Sequence, residues 1–438
     1  MHFSVTSANQ ESMSDTIEIQ GDLNPDLNIP NGGSILIISN DQSYLTHGIH
    51  KFPAKFFPEL PRYLIRKYSE IGDTVLDPMC GSGTTLLESM LNERIGIGID
   101  IDPIARLISK VKTTPIESKP LKAASDALIH HIQEFSFSEM NQPSIPEFNY
   151  RDNWFREFVL RELAVIRASI SAVLETNPQW LKIEDFFGVV LSSIIRDVSN
   201  ADPHCTRTVI RKKVVKNIKP GDTINRFIQT LLHQREIMNQ FTQLVKTRDV
   251  GQAIIHGGTA IQTGLEDSSI DLAVTSPPYI NAVDYPRTHQ LEMYWLGLLD
   301  SSPLSHMKRK YIGTETVYKD EYERLQTSGL ETLDPLLHLI YDKDPRRSFI
   351  VFKFFRDMEK QLREMYRVLK PGSRYCISIG SNQIRGIEVR SDLILSEIAI
   401  SKVGFKLEKS FFSKLIRHFI RIPRPERMQG EWILVLTK

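Results

Sequence analysis

Thr275-Ser276-Pro277-Pro278-Tyr279 is a compact set of hydrogen-bond acceptors next to an aromatic ring. Each proline fixes φ and lacks an N–H, so the turn is stiff and its carbonyls point outward. Such oxygens can take the hydrogens of an exocyclic amine on a flat base while Tyr279 stacks on the ring. A neutral exocyclic amine is a poor nucleophile because its lone pair is delocalised into the ring. Acceptors that draw its hydrogens push the nitrogen toward tetrahedral geometry. Ser276 and the Pro277 carbonyl are the candidates for that task, with Pro278 and Tyr279 completing the catalytic turn. A plain proline-rich loop ending a strand is the competing reading, since Pro-Pro-Tyr alone is common. The motif's company weighs against it.

A second constellation lies upstream. Asp73-Thr74-Val75-Leu76-Asp77-Pro78-Met79-Cys80-Gly81-Ser82-Gly83-Thr84-Thr85 reads as a short strand, a Gly-x-Gly turn and a helix continuing to Leu91. That pattern lets a ligand approach the backbone at a positive helix end. The following strand, Arg94–Asp100, ends on an acidic residue roughly 20 residues beyond the glycines, placed to accept both hydroxyls of a ribose. A third glycine at dinucleotide spacing is missing, and so is a Gly-Lys-Ser/Thr. NAD and phosphate-loop nucleotides therefore fit poorly, and an adenosyl ligand without phosphates fits well. The amine chemistry needs no covalent intermediate, so Cys80 is a small loop residue and not a nucleophile.

Elements that position these groups follow from pattern. Ile270–Val274 is mostly apolar, as a buried parallel strand should be, and its turn falls at the carboxyl end where open α/β sheets bind ligands. Residues 1 to about 40 are polar and interrupted by Asn, Asp, Ser, Gly and Pro, which predicts a loosely ordered arm. Thr46–Pro61 interleaves aromatics, prolines and two lysines ahead of a helix through Tyr68. Further strands are expected at Gln252–Ile255, Arg374–Ile379, around Phe405–Phe412 and at Trp432–Leu436, and Pro371-Gly372 marks a helix stop.

Residues 116–249 read as a helical insertion. Apolar stripes run through Phe155, Val159, Leu163, Ile166 and Ile170, then Ile183, Phe187, Val190, Ile194 and Val198, then Ile224, Phe227, Leu231, Met238, Phe241 and Val245. Such stripes are core more often than binding sites. Arg207–Lys219 carries no acidic residue. A charge run is usually a solvated face, but in a protein that holds a polyanion it is a phosphate contact, and Arg207, Arg211, Lys212, Lys213 and Lys216 are the candidates. Residues 298–350 are polar and irregular, with Lys308, Arg309 and Lys310 as a second basic group.

Composition sets the outer bounds. At 438 residues and 41% hydrophobic content the chain can build a substantial core. Its net charge of +1 means any nucleic-acid surface arises from local segregation. Three dispersed cysteines without a CxxC pair suit a reducing compartment and no metal site. With no signal-peptide pattern and no apolar run of spanning length, a cytoplasmic protein without a membrane segment is expected.

Asp77–Thr85 resembles the S-adenosylmethionine loop of amino-methylating DNA methyltransferases, and Thr275–Tyr279 resembles their catalytic motif. Phe52-Pro53-Ala54-Lys55 is similar to the cofactor-covering motif of such enzymes. Asn281-Ala282-Val283-Asp284-Tyr285 and His289–Gly297 resemble the continuation in the cytosine-N4 branch. The likeness covers roughly residues 46–110 and 250–438. It implies a Rossmann-like α/β methyltransferase fold with a mostly parallel seven-stranded sheet, its last strand antiparallel. It also implies S-adenosyl-L-methionine as cofactor, held by Lys55, Asp77, Pro78, Cys80, Gly81, Gly83, Thr84, Thr85, Asp100, Ile101 and Thr275.

The family usually carries an Asp for the adenine amine after the Gln252–Ile255 strand, and Gly258 falls there instead. A backbone group or a neighbouring side chain would then hold the adenine. The expected domains are an arm over 1–40, a cofactor half over 41–115, the insertion over 116–249 and a catalytic half over 250–438, with 298–350 as candidate target-recognition region. Ser ahead of Pro-Pro-Tyr favours N4-methylation of a flipped cytosine in double-stranded DNA, with a restriction endonuclease as candidate partner. Adenine-N6 methylation, RNA methylation and a non-catalytic DNA-binding subunit are the alternatives.

Overall fold

A computed structural model describes residues 16–39, 41–135, 142–211, 213, 215–280, 283–299, 304–414 and 429–438. The strands are β1 (Ile17–Gln20), β2 (Ser34–Ile38), β3 (Thr74–Asp77), β4 (Ile95–Gly98), β5 (Gln252–Ile255), β6 (Ile270–Thr275), β7 (Leu369–Ile379), the hairpin pair β8 (Asn382–Ile384) and β9 (Ile387–Val389), β10 (Lys406–Lys414) and β11 (Gly430–Thr437). All but the hairpin join one nine-stranded sheet in the order β1-β2-β10-β11-β7-β6-β3-β4-β5. β11 runs antiparallel to β10 and β7, and the other pairings are parallel.

The seven expected strands are therefore joined by two more, both from the stretch expected to be a loose arm. β2 pairs with β10, and β1 pairs with β2. Leu23, Ile29 and Ile35 are buried there against Leu60, Tyr63 and Leu64. The arm reading fails over residues 16–39 because it weighed local polarity, whereas the ladder partner of β2 lies almost the whole chain away. Residues 1–15 lie outside the described residues.

Helices cover both faces. Alternation along the strands sends Val75, Leu272, Val274, Ile433 and Val435 to one side, and Leu76, Ala273, Ile377, Leu434 and Leu436 to the other. The first side packs on α1 (Glu59–Tyr68), next to α2 (Thr84–Leu91) and α3 (Pro103–Thr113). Then come α4 (Ser118–Gln133), the single turn α5 (Arg151–Trp154), α6 (Glu157–Thr176), α7 (Glu184–Val198) and α8 (Asp222–Thr247). Their apolar stripes share one core with Leu87, Ile104 and Ile108 of α2 and α3. These helices thus thicken one face of the sheet.

α9 (Tyr285–Thr288), α10 (Gln290–Trp295) and α11 (Leu304–Arg309) follow the catalytic turn. α12 (Asp334–Tyr341), α13 (Pro345–Val368) and α14 (Ser391–Glu397) cover the second face. Residues 298–350 were expected to be irregular throughout. Instead Leu330, Leu333, Leu337 and Ile340 are buried beside Val351, Phe354 and Phe355, because α12 buries an apolar face against α13. No helix among the described residues is long and apolar enough to cross a membrane.

Candidate active site

β3 lies between β4 and β6, so the chain runs outward from β3 to β4 and β5 and returns on its other side with β6. That reversal opens a crevice at the carboxyl ends of β3 and β6, the place where such sheets bind ligands. A cleft of about 800 Å³ lies there. Asp77, Pro78, Cys80, Gly81, Thr84, Thr85, Asp100, Ile101 and Lys55 all line it, as do Ser276 and Pro278 of the catalytic turn.

The loop after β3 is built from both sides. Cys80 N–H donates to Ile99 O at 3.0 Å and Gly83 N–H to Cys80 O at 2.8 Å. Gly81 N–H donates to Asp100 Oδ2 and Asp102 N–H to Asp100 Oδ1, each at 2.8 Å. The Asp100 carboxylate therefore shapes the loop as well as facing the cleft. Burial, then the neighbouring Asp102, pushes its acid form up to about 7. Asp77 is pushed up to about 6 by burial, against hydrogen bonds that favour its charged form. Burial also pushes the Cys80 thiol up, which agrees with an inert loop residue.

Gly83 is off the cleft wall. It has φ +76 at the start of α2, and a Cβ there would sit 2.8 Å from Ser109 Oγ and 3.1 Å from Ser109 Cα. Its smallness serves close packing of the loop on α3, not approach of a ligand. Thr275 is also buried off the cleft, where its hydroxyl donates to Asp77 Oδ1 at 2.7 Å and ties β6 to the loop. Lys55 reaches the cleft, but its ammonium donates to Gln42 O at 3.0 Å and His47 O at 2.9 Å. Burial pulls it down to about 8.

Phe52 covers the loop. It would lie 3.3 Å from a Cβ on Gly81, and it stacks with Tyr285 at 5.6 Å and His289 at 5.1 Å between ring centroids. The covering segment is thus gripped by α9 and its C-terminal cap residue, just downstream of the catalytic turn.

Tyr279 and Pro277 do not line the cleft. The Tyr279 ring packs against the core of the second face, and its hydroxyl is held by Glu431 and Ser276. A ring expected to stand free for stacking is turned inward because that side offers it both an apolar bed and hydrogen-bond partners. Asn281 and Ala282 lie outside the described residues.

The basic groups divide in a way charge alone did not foretell. Arg207, Lys308, Arg309 and Lys310 border the cleft. Arg211 and Lys213 are exposed away from it, and Lys212 lies outside the described residues. Arg211 is 3.3 Å from Asp202. Lys216 cannot act as a phosphate contact in this arrangement: its ammonium donates to Arg196 O at 2.7 Å and Asp197 O at 3.2 Å, and burial pulls it down to about 8. Sequence reasoning passed over Asp102, Arg287 and Tyr311, which line the cleft. Asp102-Pro103, a cap followed by a first-turn proline, was the readable signal for the first of these.

Gly258 has φ +135, and a Cβ there would meet Thr263 O at 2.7 Å and Gln262 O at 3.0 Å. No aspartate side chain can replace it without moving that turn. Thr259, Ala260, Ile261 and Gln262 instead present themselves to the cleft.

Residues 27–110 match the model of a family described as DNA methylase. The match runs from ahead of β2 into α3 and contains the whole loop and Asp100. The chain is also 27% identical over 399 residues to the Type II methyltransferase M.MvaI of Kocuria varians, covering 86% of each chain. Over most of its length the chain is thus similar to Type II DNA methyltransferases. A second relative of this methyltransferase, M.BsoBI of Geobacillus stearothermophilus, is 23% identical over 418 residues, covering 84% of this chain and 80% of its own length. Among solved structures, a SAM-dependent methyltransferase of Methanosarcina mazei covers 86% of this chain and 96% of its own, at 10% identity and TM-score 0.31. A superposition that loose bears no further weight.

The methyltransferase takes its methyl group from S-adenosylmethionine. The cleft suits that cofactor: Thr84 Oγ1 is buried beside it without a hydrogen-bond partner among the described residues, and Asp100 turns its carboxylate to it. Polar atoms left dry in that way mark a place for a polar ligand.

Proposed function

We propose that this methyltransferase modifies the N4 amine of a cytosine flipped out of duplex DNA. The observation that carries the reading is Ser276, which stands on the cleft wall ahead of Pro277-Pro278-Tyr279 and across from the Asp77–Thr85 loop. S-adenosylmethionine supplies an electrophilic methyl sulfonium when bound. Asp100 and the Cys80–Thr85 loop hold the cofactor, and Phe52 covers it. Ser276 Oγ, on the cleft wall, accepts an amine hydrogen, which restores nucleophilic character to the nitrogen. Tyr279 steadies Ser276 through its hydroxyl, so its ring acts first as a support for the turn.

Extraction of the base costs a few kcal/mol and is offset by interactions within the pocket. Arg207, Lys308 and Lys310 at the mouth of the cleft bind phosphates, and the part of 298–350 that reaches the cleft, about Lys308–Thr316, takes part in target recognition. A cognate restriction endonuclease is the expected partner in the cell. Nucleoside mass spectrometry of DNA from cells producing the protein tests the base assignment. N4-methylcytosine is the expected product. N6-methyladenine alone would overturn the base, and methyl found only in RNA would overturn the substrate.

A further inference from the structure

The helical insertion takes no part in the amine chemistry, yet two of its residues reach the segment that covers the cofactor loop. Ser192, on α7, is 2% exposed, and its Oγ lies 2.8 Å from His50 Nε2. Burial pulls His50 down to about 4, which keeps its ring neutral. Its Nδ1 lies 2.8 Å from Lys51 O, and a carbonyl can only accept, so Nδ1 carries the proton and Nε2 is an acceptor. The Ser192 hydroxyl therefore donates to Nε2 rather than to Val189 O, 3.0 Å away in its own helix. That bond fixes the chain two residues ahead of Phe52.

Phe52 is held from its other side by the rings of Tyr285 and His289. Between those two residues, Thr288 O accepts from Thr208 Oγ1 at 2.7 Å. Thr208 is 1% exposed and follows Arg207, which borders the cleft. The base of this basic loop returns to α7: Arg196 Nη1 donates to Thr206 O at 3.0 Å and Nη2 to Asp202 O at 3.2 Å. Asp202 N–H in turn donates to Val209 O at 2.8 Å. Ser192 and Arg196 stand one helical turn apart on the same side of α7. The contacts thus close a ring that runs from α7 through the covering segment, α9 and the basic loop back to α7.

We propose that the insertion fastens the cofactor cover: Ser192 and Thr208 hold Phe52 over the Asp77–Thr85 loop from its two sides, and a DNA phosphate bound by Arg207 steadies that hold through Thr208. The inference rests on the readings of Phe52 as the cover and of Arg207 as a phosphate contact. Pairing with a phosphate fixes the exposed end of the loop. The buried Thr208–Thr288 bond passes that fixed position to the rings stacked on Phe52. Both residues are positioning residues, since neither touches cofactor or DNA base. DNA and cofactor should then each raise the affinity of the other by the same factor.

Titration calorimetry with S-adenosylhomocysteine, which carries no transferable methyl, reads the cover without turnover. Ser192→Ala should weaken binding about threefold to tenfold, the loss expected for one buried hydrogen bond. It should also speed amide hydrogen exchange over Lys51–Phe56 while α7 keeps its protection. A short random-sequence duplex at low salt should tighten wild-type binding by about fivefold or more. That gain should vanish in Thr208→Val and in Arg207→Ala and return in Thr208→Ser. Wild-type affinity and exchange in Ser192→Ala would overturn the fastening. An undiminished gain in Thr208→Val, or no gain in the wild type, would overturn the link to DNA. If Phe52→Ala bound S-adenosylhomocysteine as the wild type does, the reading of Phe52 as the cover would fall instead.

Discussion

With two backbone N–H groups already bonded to Asp100, its replacement acts on the loop and on the ligand together. Asp100→Ala should weaken cofactor binding by about 1.5–3 kcal/mol, as expected for losing a charged acceptor, and should lower thermal stability too. The acid form of Asp100 is held up to about 7 from an ordinary 3.8. The ionised form is the acceptor, so cofactor affinity should rise as pH increases through that value. Folding stability should run the other way: the folded protein binds the proton more tightly than the unfolded one, so this group's contribution is lost as pH rises from 3.8 toward 7. Titration calorimetry across pH checks the affinity, and Asp100→Asn should flatten the profile. Tyr279→Phe breaks the bonds to Ser276 and Glu431. Turnover should fall on the order of tenfold with cofactor affinity intact, in line with removal of a hydrogen bond that orients a catalytic group. Equal changes in both quantities would mean that Tyr279 also serves the cofactor. The inward turn of this ring was not legible in the sequence, because Glu431 lies far along the chain from the motif it steadies.

At the scale of elements, the loop and the catalytic turn were legible because each is a local event, an apolar run broken by Gly or Pro at a strand's carboxyl end. What stayed hidden were relations between distant segments: β2 against β10, Thr275 against Asp77, and the packing of α4–α8 on α2 and α3. The Thr259–Gln262 turn is the instructive case. Reading Gly258 as a missing aspartate suggests that restoring the acid would help. The turn geometry says the opposite. Gly258→Asp should cost roughly 1–3 kcal/mol in backbone strain alone and weaken cofactor binding. Chemical denaturation with parallel cofactor titration measures both, and tighter binding in the variant would show that the turn adapts.

For the whole molecule, the near-zero net charge leaves DNA attraction to the rim of one cleft. Arg207→Ala with Lys310→Ala should flatten the logarithmic salt slope of DNA binding by about 0.9 for each phosphate that is no longer neutralised. Lys216→Ala should leave the slope unchanged and lower the melting temperature, since its ammonium secures two backbone carbonyls of the α7 C-terminus. A flattened slope in that variant would restore the lysine to the DNA surface. Another consequence concerns time. β2 pairs with β10 through Ser34↔Phe412 to Leu36↔Lys414, so strands made early find their ladder only after most of the chain exists. At about 5–20 residues per second, translation of the intervening stretch takes on the order of 20–75 s. During that wait the nascent chain holds an apolar strand, Ser34–Ile38, with only β1 to pair it and its other edge open. The outer edge of this sheet is thus laid down long before the strand that completes it, so its closure belongs to the end of folding and not to the beginning.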